Sequence, residues 1–207
     1  MYIPEYHRVE DTAVTKAFMQ ANPFAILITG NETGPFATHL PILAREIDGR
    51  VHLRGHMAKA NPHWNLMAPD QETLVIFHGP HAYVSPSLYE IRESVPTWNY
   101  AAVHVYGRGT VFTDELRLDD LLLEMIARFD SAYAEQWSSL SEQYRKKMLQ
   151  HIVGFEVVAT RVETKFKLSQ NRTKTERENV IRSLAGGSDS TVTAVAALMR
   201  ERDRGRP

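Results

Sequence analysis

Cysteine is absent from the 207-residue chain, which excludes disulfides, thiol catalysis, cysteine-ligated zinc and iron–sulfur clusters. An excess of either charge is also missing. The 24 Lys and Arg against 25 Asp and Glu leave a formal net charge of -1, so nothing draws the chain globally to nucleic acid, and any DNA contact must be local. No apolar run is long enough to span a bilayer. The start, Met1-Tyr2-Ile3-Pro4-Glu5-Tyr6-His7-Arg8, has neither the basic opening nor the apolar stretch of a secretion signal. The expectation is a cytoplasmic protein with no membrane partner. Gly-x-Ser-x-Gly, a P-loop and the Gly-x-Gly-x-x-Gly fingerprint are absent too, so acyl transfer and nucleotide hydrolysis have no local support. What remains, 43% hydrophobic and 24% charged, is the composition of a globular chain with enough length to bury a substantial core.

Hydrophobic periodicity orders that chain into short strands interrupted by helices. Asp11 can cap a helix with Val14, Ala17, Phe18 and Ala21 on one side, ended by Asn22-Pro23. Strands are expected over Phe24 to Thr29, Phe36 to Ala44, Val51 to His56, Thr73 to His78, Val103 to Phe112 and Ile152 to Val162, with a loop at Gly30 to Gly34 and a hairpin turn at Asp48-Gly49. Between them, Ala58 to Met67 reads as a short helix and Gln143 to Gln150 as another turn or two. Thr113 or Asp114 can cap a longer helix striped by Leu118, Leu122, Met125, Phe129 and Ala132. The implied fold class is α+β, mainly β: a small antiparallel barrel of about six strands, closed to remove exposed edges, with peripheral and C-terminal helices. The expected organisation is a domain over 1–168 and a helical appendage over 169–207. The appendage comprises a helix from about Thr175 to Leu184, stopped at Gly186-Gly187, and a terminal helix capped at Ser190 and ending in Arg200, Arg202, Arg204 and Arg206.

Chemistry-bearing residues gather between Arg54 and Tyr106. In Arg54-Gly55-His56-Met57-Ala58-Lys59 a strand ends, a glycine permits close approach, and two cations precede a helix start whose amides favour an anion. The pattern suits a phosphate cradle and equally a solvated strand-to-helix turn. Trp98 and Tyr100 beside Asn99 offer flat surface with hydrogen-bonding ends, suited to a planar heterocycle or to a core or interface plug. Seven of the nine histidines lie between His39 and His104, with His52 and His56 on one strand face, yet no His-Glu-x-x-His pattern or carboxylate cluster accompanies them, so no metal is assigned. Pro41 after Thr38-His39-Leu40 removes a ladder donor and turns that backbone toward a ligand, bulge or edge. After the last strand, Ser169, Gln170 and Asn171 sit among Lys165, Lys167 and Arg172, as a polar helix entry or a cap over an anion, a ring or a partner subunit's site. No catalytic residue is assigned.

Five runs in this order, Phe36-Ala37-Thr38-His39-Leu40-Pro41, Gly55 to Pro62, Gly79-Pro80-His81-Ala82-Tyr83, Val95 to Tyr100 and Lys167-Leu168-Ser169-Gln170-Asn171-Arg172, together resemble the PaiB family. The resemblance extends from the first residues to about Leu184 and leaves the Arg-rich end unmatched. It implies an FMN-binding split barrel acting as a negative transcriptional regulator, and a homodimer with flavin sites at the subunit boundary. It also implies that Thr38, His39 and Pro41 line the flavin, that Gly55, His56 and Lys59 approach its phosphate and ribityl chain, and that Trp98 and Asn99 close the site; the residues' own reading of Arg54 and Lys59 agrees with a phosphate there. Gln170 and Asn171 would reach it from the partner. The alternatives are a flavin-dependent oxidoreductase of small heterocyclic or aromatic substrates and a haem-binding protein. DNA binding is implied by the family label, but the sequence offers only Lys165, Lys167, Arg172, Lys174 and Arg177, diluted by Glu176 and Glu178.

Overall fold

Runs of branched and aromatic residues form seven strands in a computed structural model that describes residues 1–32, 34–68 and 70–204. Thr33 of the expected loop and Arg206 of the arginine run lie outside these residues. The strands are β1 (Phe24–Asn31), β2 (Gly34–Pro41), β3 (Leu43–Ile47), β4 (Arg50–Ala58), β5 (Glu72–Val84), β6 (Thr97–Phe112) and β7 (Ile152–Lys167), in the sheet order β2-β1-β5-β6-β7-β4-β3. The α+β antiparallel class expected from the sequence holds, with seven strands instead of six. The extra strand arises because Phe36 to Ala44 is not one strand. At Ile42 the backbone amide turns to the carbonyl of Pro23 at 2.8 Å. Before the break β2 pairs with β1 (Leu27↔Thr38), and after it β3 pairs with β4 (Leu43↔Arg54). The Asp48-Gly49 hairpin forms as expected, both residues having positive φ (50° and 73°), the geometry that favours Asp-Gly in a tight turn.

Among the described residues six α-helices accompany the sheet: α1 (Thr12–Ala21), α2 (Glu115–Phe129), α3 (Tyr133–Ser139), α4 (Glu142–Leu149), α5 (Lys174–Ala185) and α6 (Ser190–Arg204). Asp11 caps α1 through the amides of Ala13 and Val14, and Asp114, rather than Thr113, caps α2 through Arg117. At α6 the cap is Asp189, not Ser190, because its carboxylate reaches the amides of Thr191 and Val192. In α5, Thr173 and Glu176 form a reciprocal capping box. The stripe of α2 holds at Leu118 and Met125, which are buried with Leu121, and at Leu122, which packs partly buried against them, while Phe129 is exposed and Ala132 lies beyond the helix.

The chain divides into two compact units, one comprising residues 1–18, 78–103 and 163 onward, the other residues 19–77 and 104–162. In the second unit α2 buries its stripe against Leu43, Phe112, Leu149 and Ile152. In the first unit α5 packs on α6, burying Val180, Ile181, Val195, Ala196 and Met199. Among the described residues no helix is long and apolar enough to cross a membrane.

Candidate functional site

Side-chain alternation along β4 decides what the Arg54–Lys59 run does. Leu53, Gly55 and Met57 are buried on one face, and His52, Arg54 and His56 line the other. Each member of that row has its own partner: His52 Nδ1 lies 2.9 Å from Glu156 Oε1, Arg54 donates to Glu124 at 2.6 Å and Asp120 at 3.2 Å, and His56 Nδ1 meets Met125 Sδ at 3.3 Å. Arg54 and His56 therefore tie β4 to α2. Burial holds the His56 imidazole below its usual range. Gly55 is small for a packing reason, since a Cβ there would stand 2.7 Å from the Phe155 ring and 3.2 Å from the carbonyl of Pro41. Pro41 and Gly55 are thus brought together where β2 ends.

The expected helix after β4 is only a 3-10 turn, Pro62–Leu66. Its start offers no free cradle of amides: Pro62 has no N–H, and the His63 amide donates to the Asn61 side chain at 3.0 Å. Lys59 is exposed, and among the described residues its Nζ has no hydrogen-bond or ion-pair partner. Its backbone is fixed instead, with its amide donating to His151 O at 2.7 Å and its carbonyl accepting from Trp64 Nε1 at 3.0 Å.

Thr38, half-buried on β2, is held from below. Asn61 Nδ2 donates to its Oγ1 at 3.3 Å, and His63 Nδ1 lies 2.7 Å from it. His63 is fully buried, and its Nε2 lies 3.1 Å from Thr29 Oγ1, itself 3.1 Å from Thr73 Oγ1. Burial depresses the His63 pKa. His63, Thr29 and Thr73 stand outside the site residues expected from the sequence, and the signal for them is a histidine two residues past the Asn61 cap with threonines on adjacent strands. His39, on the other face of β2, is exposed and leans on Phe24, with ring centroids 6.3 Å apart.

The remaining expected residues belong to the first unit. Trp98, 52% exposed, stands among exposed His81 and Tyr83, with centroids at 6.0 and 6.1 Å, and His78 adjoins His81 at 5.1 Å. Lys167 fixes this segment from below through Thr97 Oγ1 and, at 2.7 Å, the Trp98 carbonyl; burial, then the charge of Lys165, lowers its pKa. The next residue points the opposite way: Asn99 is fully buried and exchanges hydrogen bonds with Ser169 Oγ at 3.0 and 3.2 Å. Gln170 is committed within its own unit, to His7 Nδ1 at 2.8 Å, the Leu168 amide at 2.7 Å and the Phe166 carbonyl. It lines a cleft of about 420 Å³ with Tyr6, Arg8, Phe166 and Arg202. Asn171 is exposed. Among the described residues, no group of three His, Asp or Glu side chains is arranged to hold a metal ion.

Comparison with known proteins gives the chain its family. The family described as "Putative FMN-binding domain" matches residues 1–161. Protease synthase and sporulation protein PAI 2 of Bacillus subtilis (strain 168) is 35% identical over 204 residues, covering 98% of each chain. Among solved structures, the flavocytochrome Anf3 from Azotobacter vinelandii shares the fold at TM-score 0.61 and 18% identity, over 80% of this chain and 72% of that one. The FAD and heme binding protein from Mycobacterium smegmatis does so at TM-score 0.59 and 14% identity, over 87% and 80%. The chain therefore belongs to the PaiB-type family of FMN-binding domains, and FMN is the cofactor that this membership carries.

Proposed function

We propose that the protein is an FMN-loaded homodimeric regulator that acts negatively on gene expression. Two kinds of group suit FMN in the second unit. Lys59 supplies a cation for the phosphate and Thr38 a hydroxyl for a polar edge of the ring, whereas His39 faces the other side of β2. Arg54 does not join them, because its guanidinium is taken by two carboxylates. FMN, when bound, supplies one- and two-electron redox chemistry. The observation that carries the reading is Lys59, an exposed cation whose backbone is pinned on both sides while its charge is left without a partner among the described residues.

The regulatory part draws on the end-to-end likeness to a relative named for protease synthesis and sporulation. The homodimer reading draws on the exposed aromatic group around Trp98, a composition enriched at interfaces. The test begins with FMN titration followed by visible spectrum and flavin fluorescence. Tight uptake, weakened roughly fivefold by Lys59→Ala, is expected from losing one exposed charge-assisted contact of about 1 kcal/mol. Uptake unchanged by the substitution rejects the phosphate role of Lys59. Salt-dependent anisotropy with promoter DNA tests the regulatory arm: direct phosphate contacts weaken steeply as salt rises, and a flat response assigns the effect to an indirect route.

A further inference from the structure

The buried row Thr38, His63, Thr29 and Thr73 has a property that none of its members has alone. The Asn61 amide is oriented by its own contacts, its oxygen accepting from the His63 amide and its nitrogen donating to Thr38 Oγ1. Thr38 thus accepts one hydrogen bond in every arrangement. The other contacts, 2.7 Å from Thr38 Oγ1 to Nδ1, 3.1 Å from Nε2 to Thr29 Oγ1 and 3.1 Å from Thr29 to Thr73, admit two proton arrangements around a neutral imidazole. In the inward one, Thr38 donates to Nδ1, Nε2–H donates to Thr29, and Thr29 donates to Thr73. In the outward one every donor is reversed. Thr73 donates to Thr29, Thr29 to Nε2, and Nδ1–H to Thr38, whose own proton is then free for a group outside the relay.

We infer that His63 is a positioning residue for the flavin site, its tautomer setting whether the Thr38 hydroxyl donates outward to an acceptor atom of the ligand or turns inward to Nδ1. The inference rests on the proposal that Thr38 lines the flavin, and it names the chemistry that the position reads. A ligand acceptor facing Thr38 selects the Nδ1–H tautomer, and a ligand donor selects Nε2–H. The device needs an imidazole that stays neutral. The surroundings meet that need, because His63 is fully buried and among the described residues its ring hydrogen-bonds to hydroxyls alone. Its location under a half-buried threonine, on a strand that ends against β4 at Gly55, places the relay behind the residues proposed for the ligand.

The test is long-range 1H–15N correlation of the full chain with ring-labelled histidine, assigning His63 by its loss in His63→Gln. Thr38→Val removes the acceptor for Nδ1–H while Nε2–H keeps Thr29 as its acceptor, so His63 moves to Nε2–H. Thr29→Val removes the donor to Nε2, and because an orphaned N–H is tolerated less than a bare lone pair, His63 moves to Nδ1–H. Thr38→Ser keeps the wild-type state and covers the case in which a valine variant does not fold. Adding oxidised FMN to the wild type drives the population toward Nδ1–H and leaves Thr38→Val unmoved. Opposite shifts in the two valine variants show that the two hydroxyls set the tautomer, and the FMN-driven shift of the wild type, absent in Thr38→Val, is what a merely structural histidine would not show and supports the inference. One tautomer throughout overturns it, as does FMN uptake without any change at His63. Absence of FMN uptake by ultrafiltration rejects the flavin reading itself, and the opposite shifts in ligand-free protein then show the relay to be intact without that ligand.

Discussion

Arg54 and Glu124 meet at 2.6 Å, with both side chains at least 85% buried, and this contact joins β4 to α2. Glu124 also accepts from Arg45 at 3.0 Å. Removing Arg54 leaves a mostly buried carboxylate with one half-exposed partner. Arg54→Met is expected to destabilise the fold by about 2–4 kcal/mol, near the lower end of what breaking a buried pair costs because Arg45 remains. The double variant Arg54→Met, Glu124→Met is expected to recover most of that loss. Urea denaturation of the two single variants and the double checks both. FMN affinity per folded molecule should change less in Arg54→Met than in Lys59→Ala, and the reverse order would return Arg54 to the phosphate.

Gly55 and Phe155 are cross-strand partners on β4 and β7, and the Phe155 ring occupies the space over the glycine. Gly55→Ala forces that ring or the strand aside, at about 1–3 kcal/mol of overpacking. If the glycine is small for Phe155, then Phe155→Leu in the Gly55→Ala background regains stability relative to the sum of the single changes. Thermal midpoints of the three variants provide the cycle. Strict additivity would mean that the close contact is not where the cost arises.

These two positions show why the sequence was readable as a fold and less so as a site. Periodicity located most elements, because strand alternation and the helix repeat reflect burial, which is what folding selects. Caps at Asp11 and Asp114 were legible for the same local reason, and Asp189 was missed by one residue. Arg54-Gly55-His56 looks the same in sequence whether the strand faces a phosphate or helix carboxylates, and those carboxylates come from α2, some seventy residues away. The histidine run misled likewise: His52, Arg54 and His56 share a face, but each neighbour across it is a different residue. The Gly79-Pro80-His81 and Trp98-Asn99 runs, read as site segments outside the expected strands, lie within β5 and β6. Their alternation exposes Trp98 and buries Asn99, a division that composition alone does not reveal.

Stability should fall on mild acidification. Burial is the leading cause that lowers the pKa of His7, His56, His63 and His78 from the usual 6.5. A lowered folded pKa means that the unfolded chain binds protons first as pH drops. The stabilising contribution is therefore complete above the unfolded value and is lost as pH falls through the folded values. Urea midpoints should be highest near about pH 7.5 and lower near about pH 5.5, with a shallower decline in His56→Leu, which removes one of the four groups while leaving apolar contact with Met125. A decline equally steep in that variant would assign the acid sensitivity to the other three.

Trp98 and Asn99 allow the sharpest contrast, because they are adjacent and face opposite ways. Asn99→Ala removes an amide with no solvent exposure and strands the Ser169 hydroxyl. It is expected to cost about 1–3 kcal/mol through the lost pairing alone. Trp98→Ala takes away a ring that is half in solvent, and the monomer should change by no more than about 0.5 kcal/mol. Its effect belongs elsewhere, in the self-association constant measured by sedimentation, because an exposed indole flanked by His81 and Tyr83 gains most when a partner covers it. Weaker association with unchanged monomer stability in Trp98→Ala, and the opposite in Asn99→Ala, is the expected pair of outcomes. Equal association in wild type and Trp98→Ala would remove the aromatic group from the dimer interface and leave its rings available to a ligand.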